Sequence, residues 1–337
     1  MSQTALIVGC AGPRLDSAER ELFAAVKPWG LILFKRNCES PAQISALTQE
    51  FRGLTGYQEA PVFIDQEGGR VQRLGPPQWP NFPPAAAFGA INARDPKRAR
   101  ETAKLGARLI AQELLALGIT ADCLPVADLR LPEGHGIIGD RAYGETVEAV
   151  TELARAASEG LMEGGVLPVM KHIPGHGRAN ADSHEALPTV SASRKELEQT
   201  DFEPFRRLKD LPMAMTAHVL YSVLDQKNAA TVSRTIVQDI IRGHIGFEGL
   251  LMTDDLSMKA LKGSLRERAE KALEAGCDMI LHCNGDISEM QEIAAVCPPL
   301  EGAAARRAAA AIKARKSPLE KINLAEAHAR FSAMLTA

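Results

Sequence analysis

The sequence has little that would hold it to a nucleic acid or a membrane. Its formal net charge is −3 over 337 residues, and it contains no basic run. That excludes the electrostatic footprint of a phosphate-backbone binder. No apolar segment approaches the roughly 20 residues needed to cross a bilayer. The opening Met1-Ser2-Gln3-Thr4-Ala5-Leu6-Ile7-Val8 has no basic residue and only a short apolar stretch, so no secretory signal is expected. Cys10, Cys38, Cys123, Cys277, Cys283 and Cys297 are scattered, without a CxxC pair. Several lie in apolar runs, where reduced cysteine behaves as a small hydrophobe. The expectation is a cytoplasmic protein without disulfides, bound to neither nucleic acid nor membrane. Also missing are a GxGxxG after the first apolar run, an internal repeat and a low-complexity linker.

What is present is a regular alternation. Short runs rich in Val, Ile, Leu and Met fall at 5–9, 30–34, 61–65, 119–124, 167–172, 212–218, 249–254 and 277–282. They are nearly continuously apolar, as strands buried on both faces should be. Helical patterns lie between them, among them 96–117, 146–163, 194–208, 233–241 and 265–275, with Ser233 and Ser264 as expected N-caps. With 45% hydrophobic residues the chain can bury a large core. This order predicts a single (β/α)8 TIM-type barrel spanning 1–337, with helices at 303–314 and 324–335 packed on it as a C-terminal addition over 301–337. The proline-rich stretch 75–84 reads as a stiff surface excursion, and 128–145 as a long connection leaving the fourth strand.

In a barrel of this kind chemistry sits at the carboxyl ends of the strands. Six of the eight predicted ends carry Asp, Lys or His: Asp65, Asp128, Lys171-His172, His218, Asp254-Asp255 and His282. Lys171-His172-Ile173-Pro174-Gly175-His176-Gly177, followed by Asp182-Ser183-His184, concentrates three histidines, a lysine and a carboxylate in a loop. Such groups are costly to bury idle, which points to a site. Asp254, fixed at the end of a rigid strand, suits a nucleophile. Asp255 alternates to the other face and reads as a structural hydrogen-bonding residue. In an extended loop Asp182 and His184 can share one side, so the carboxylate orients an imidazole that serves as acid and base. A carboxylate nucleophile with a separate proton donor is the equipment of retaining glycoside hydrolysis. Asp65, Arg73, Arg141, Lys171 and His172 would grip sugar hydroxyls or a substrate carboxylate. Asp128 and His218 read as supports and His176 as a loop-shaping residue; His135 and His282 stay unassigned. Three other readings compete: a zinc hydrolase using His172, His176, Asp182 and His184, a Schiff-base lyase using Lys171, and a sugar-binding barrel without catalysis.

Four of these segments, in order, resemble one family. Lys171-His-Ile-Pro-Gly-His-Gly with Asp182-Ser-His184 is similar to the acid/base loop of family 3 glycoside hydrolases of the NagZ type, the β-N-acetylglucosaminidases. Gly249-Leu-Leu-Met-Thr-Asp-Asp-Leu-Ser-Met258 resembles their nucleophile segment. Ile64-Asp-Gln-Glu-Gly-Gly-Arg-Val-Gln-Arg73 resembles the segment after strand three, and Ile137-Ile-Gly-Asp-Arg-Ala-Tyr-Gly144 the loop after strand four. The resemblance implies Asp254 as nucleophile, His184 as general acid/base and Asp182 as its partner. It implies Asp65, Arg73, Arg141, Lys171 and His172 as ligands of N-acetylglucosamine, with no metal or other cofactor. It further implies a small-molecule substrate, N-acetylglucosaminyl 1,6-anhydro-N-acetylmuramic acid with or without peptide, taken apart in cell-wall recycling by a monomer or weak homodimer. Ile173, His244 and the loop 75–84 depart from the family pattern.

Overall fold

The computed structural model describes residues 3–183, 185–318 and 322–336. Eight parallel strands close into a barrel in which each pairs with its neighbours in sequence, and the eighth with the first. They are Thr4–Val8, Pro28–Leu33, Val62–Ile64, Ala121–Asp122, Leu167–Ile173, Met213–Thr216, Leu250–Asp255 and Met279–His282. The TIM-type barrel expected from the alternation is therefore the observed fold. Among the described residues no helix is long and apolar enough to cross a membrane.

Alternation along each strand decides what faces where. Ala5, Ile7, Phe63, Ala121, Leu167, Val169, Met213, Met215, Leu250, Met252, Met279 and Leu281 form one buried cluster inside the barrel. The residues between them, such as Leu6, Val62, Ile64, Met170, Ala214, Leu251 and Ile280, join the cluster under the surrounding helices. Each strand is thus apolar on both faces for two separate reasons. Gly30 is inward-facing and small because a Cβ there would stand 2.8 Å from the Phe63 ring.

The helices are set by local chemistry. Ser264 accepts from the Glu267 N–H, and the Glu267 side chain returns to Ser264 N, so Leu265–Ala275 starts where the capping pattern predicts. The Ser233 hydroxyl likewise accepts from Ile236 N at the start of the helical turn that continues through Ile236–His244. The single helix expected over 194–208 is instead two, Arg194–Gln199 and Glu203–Arg207. Pro204 explains the break, because it has no N–H to continue the first helix and sits comfortably in the first turn of a second.

The C-terminal segment closes the barrel from below. Helix Gly302–Ala314 places Ala308 and Ala311 against the inner cluster. Helix Leu324–Thr336 buries Phe331 against Phe82 and Phe88, with ring centres 6.2 and 6.3 Å apart. The stretch 75–84 differs from its expectation as a free surface excursion. Trp79 and Phe82 are buried, and Gln72 clamps the stretch by donating to Pro80 O and accepting from Phe82 N. Gln72 belongs to a short antiparallel hairpin, Gln66–Gly68 with Val71–Gln72, that the alternation did not reveal.

Candidate active site

The inward register that fills the barrel continues past the strand ends. Phe63 is inward, so Asp65 is next; after Leu167 and Val169 comes Lys171; after Leu250 and Met252 comes Asp254. All three line a cavity of about 250 Å³ at the mouth of the barrel. Arg73, Arg141 and His172 line it too, so six of the eight candidate site residues converge on one space. Phe34, Met215, Met258 and Leu281 supply its apolar wall. An enclosed pocket in which charged groups converge beside an apolar wall is a form small-molecule sites take.

Most of its charges form one chain. Asp65 accepts from Lys171 Nζ at 2.7 Å and from Arg73 Nη2 at 2.8 Å. Lys171 Nζ also stands 2.6 Å from Glu67 Oε1, and Glu67 takes Arg141 in a fork, with Nε and Nη2 each at 2.8 Å. The order is Arg73, Asp65, Lys171, Glu67, Arg141. Burial alone would raise the Asp65 and Glu67 carboxyl pKa values, but the flanking cations outweigh it. Asp65 lies well below the carboxylate range and Glu67 at about 2. Burial would lower Lys171, yet Asp65 and Glu67 raise it above an ordinary lysine. This lysine is a fixed cation, which disfavours its use as a Schiff-base amine near neutrality.

Of the two carboxylates on the inward register, Asp65 and Asp254, only Asp254 has no lysine or arginine ion pair among the described residues. Its Oδ1 accepts the Asp255 N–H at 2.8 Å. Burial raises its pKa, and the His218 and His172 rings, the Asp255 N–H and the Lys171 ammonium lower it by more, so it is ionised at neutral pH. Asp255 turns away: its carboxylate accepts from Ser257 N, Ser257 Oγ and Cys283 N, the structural role alternation assigned to it. His218 sits beneath, with Nε2 donating to Asp255 O at 3.0 Å and Nδ1 2.7 Å from Thr231 Oγ1. His282 is buried outside the cavity lining, and His135 is on the surface, its Nδ1 accepting from Ile137 N.

Asp128 ties down the loop that leaves the fifth strand. It accepts from His172 Nδ1 at 2.7 Å, from His172 N and from His176 N. His172 thus presents the rest of its ring to the cavity. His176 packs edge-on against that ring, with centres 5.6 Å apart, and its Nε2 lies 3.3 Å from Ser183 Oγ. Burial and the neighbouring His172 lower the His176 pKa to about 4, so this imidazole is neutral at pH 7. The following segment is not extended, as expected, but turned: Asp182 O accepts from both Glu185 N and Ala186 N. A carbonyl that collects two N–H groups closes a turn in place of an extended strand. Ser183 lines the cavity, while His184, the expected acid/base, lies outside the described residues. Among the described residues no group of three His, Cys, Asp or Glu side chains is placed to hold a metal.

Residues 4–314 match the glycosyl hydrolase family 3 N-terminal domain. The chain belongs to glycoside hydrolase family 3. A β-hexosaminidase of Alkalilimnicola ehrlichii is 43% identical over 288 residues, covering 83% of this chain and 80% of the relative. One from Chromobacterium violaceum is 39% identical over 306 residues, covering 90% and 85%. NagZ from Neisseria gonorrhoeae, solved in complex with N-trifluoroacetyl-D-glucosamine, superposes with a TM-score of 0.89 at 30% identity, over 100% of this chain and 99% of that one. The family 3 chain described here is a β-N-acetylhexosaminidase.

Within this family 3 site, sequence reasoning passed over Glu67. It lies inside a segment recognised for Asp65 and Arg73, and its signal was available, because 63, 65 and 67 share one parity. What hid it was the hairpin, which folds Glu67 back over Lys171. Arg70 was also missed; it lines the cavity and bonds Asp140 at 3.0 Å.

Proposed function

We propose that this family 3 enzyme is a retaining exo-β-N-acetylglucosaminidase of cell-wall recycling. It removes terminal N-acetylglucosamine from 1,6-anhydro-N-acetylmuramic acid fragments, with or without peptide. The observation that carries the reading is Asp254, an ionised carboxylate held on the inward register with no Lys or Arg ion pair among the described residues, whereas the other inward carboxylate, Asp65, is gripped by Lys171 and Arg73. A carboxylate neutralised by an ammonium or guanidinium would be a poor nucleophile.

In this mechanism an Asp254 oxygen attacks the anomeric carbon as the glycosidic C–O bond breaks. The departing oxygen takes a proton from the His184 imidazolium, oriented by Asp182. A water then gives its proton to the neutral imidazole and attacks the same carbon, freeing Asp254 and leaving the configuration retained. Asp65, Arg73, Arg141, Lys171 and His172 hold the sugar hydroxyls. Their mutual pairing fixes them in advance, so little ordering is needed when the sugar arrives. The neutral His176 and the Asp128 tether support the loop that carries Asp182 and His184.

The six cysteines are all unpaired, which fits work in the cytoplasm. Among the described residues only Val223 and Leu324 are strongly exposed large apolar side chains, which supports a monomer or weak homodimer. The deciding experiment is inactivation with a 2-deoxy-2-fluoro glycoside followed by peptide mapping. The sugar is expected on Asp254; a label on Asp255 or Asp182, or a product with inverted configuration, refutes the mechanism. In parallel, His184→Ala should lose most on substrates with poor leaving groups, which need protonation. Equal losses across leaving groups remove His184 from the acid role.

A further inference from the structure

A second opening of about 330 Å³ lies beside the catalytic loop. It is bounded by the segment that leaves the sixth strand, by the one that leaves the seventh, and by Leu187 of the catalytic loop. Its charged lining is Lys227, Lys262, Arg268 and Lys271, with no Asp or Glu. Arg268 is engaged by the backbone, with its Nη1 donating to Leu256 O at 2.7 Å and to Met258 O at 3.1 Å. The three lysines are exposed and make no ion pair among the described residues.

Nearby acids are already committed. Asp225 accepts from Lys227 N, Asn228 N and Ser233 Oγ; Glu267 caps Ser264 N; Glu270 takes Arg266. The groove is therefore a local excess of positive charge on a chain whose net charge is −3. Flexible ammonium groups suit an anion whose position varies.

The groove adjoins the active site. Ser183 and Met258 line the catalytic cavity, Ala260 and Leu187 line the groove, and Ala260 N donates to Ser183 O at 3.2 Å. Met258 and Ala260 are two residues apart, so their Cα atoms are at most about 7 Å from one another. An extended peptide of three residues spans about 10 Å. A peptide leaving the second sugar can therefore cross this contact and bring its carboxylates among the lysines.

We propose that the groove is a subsite for the carboxylates of the substrate's peptide, an inference that rests on the muropeptide reading above. Peptide-free fragments are cleaved without it; peptide-bearing ones gain affinity from it.

The test uses the full chain and the triple variant Lys227→Ala, Lys262→Ala, Lys271→Ala. Each is assayed on an aryl β-N-acetylglucosaminide, on the peptide-free anhydro-disaccharide, and on the same disaccharide bearing its peptide. The triple variant should lose about tenfold in kcat/KM on the peptide-bearing substrate alone, as three exposed charge contacts allow. The corresponding triple arginine variant should restore the rate, and raising the salt should erase the parent's preference. Equal kcat/KM of parent and triple alanine variant on the peptide-bearing substrate overturns the proposal. So does inorganic phosphate that alters aryl turnover through these lysines while peptide preference is unchanged, because the groove would then serve a free anion. A parent that hydrolyses the aryl glycoside but neither disaccharide sinks the muropeptide reading instead, and is distinguished by that pattern.

Discussion

Lys171 carries its charge at the barrel mouth with 2% of its side chain exposed, a position that costs an isolated ammonium several kcal/mol. Two carboxylates within 2.7 Å offset that cost, and one of them, Glu67, also forks onto Arg141. Glu67→Gln leaves two buried cations short of a partner. The folded-state pKa of Glu67 is about 2 against an ordinary 4.5, so folding favours its ionised form. That contribution, about 3 kcal/mol, is fully present above pH 4.5 and is lost as the pH falls toward 2. In urea denaturation the variant should be weaker than the parent by about this amount at pH 7, with the gap closing below pH 4.5. A gap that persists unchanged to pH 2.5 contradicts the linkage. Kinetically, if Arg141 and Lys171 hold the sugar as proposed, KM should rise about tenfold or more with a smaller fall in kcat, because such contacts act in the ground state as well.

At the scale of the element, the loop leaving the fifth strand is placed by backbone contacts as much as by side chains. A Cβ on Gly177 would stand 1.9 Å from Leu129 O, so only glycine lets this loop lie against the segment leaving the fourth strand. Asp128, next to Leu129, anchors the same loop through His172 and His176. Gly177→Ala should push the loop outward and cut kcat at least about tenfold, because small displacements of catalytic groups are expensive. The melting temperature should fall by only a few degrees for a change confined to one loop. Full activity in the alanine variant would show that the loop tolerates the shift. The strands were legible from their apolar runs because burial on both faces leaves few polar positions before the strand ends. The hairpin Gln66–Gly68 with Val71–Gln72 was not, because strands of two or three residues carry too little periodicity to register.

For the whole molecule, burial governs the chemistry of the cysteines. Desolvation pushes the Cys10, Cys38, Cys277 and Cys297 thiols up to about 12, and Cys123 and Cys283 well above the ordinary value. A thiol that does not ionise does not react. Under native, non-reducing conditions a thiol-specific reagent should label at most one cysteine within minutes, and all six in denaturant. Rapid native labelling of several would mean that the barrel opens more readily than this packing allows.

The order of strands, the face on which the polar ends gather and the family were all written in the chain, because alternating burial and short motifs are local in sequence. Asp254, Lys171 and Asp65 could be picked out one at a time for the same reason. Tertiary structure alone decided who partners whom. Glu67 reaches Lys171 and Arg141 from positions 104 and 74 residues away, differences read directly from their numbers. Side-by-side pairing of the third, fourth and fifth strands brings those positions within 3 Å, and no periodicity in the sequence encodes a contact between residues so far apart along the chain.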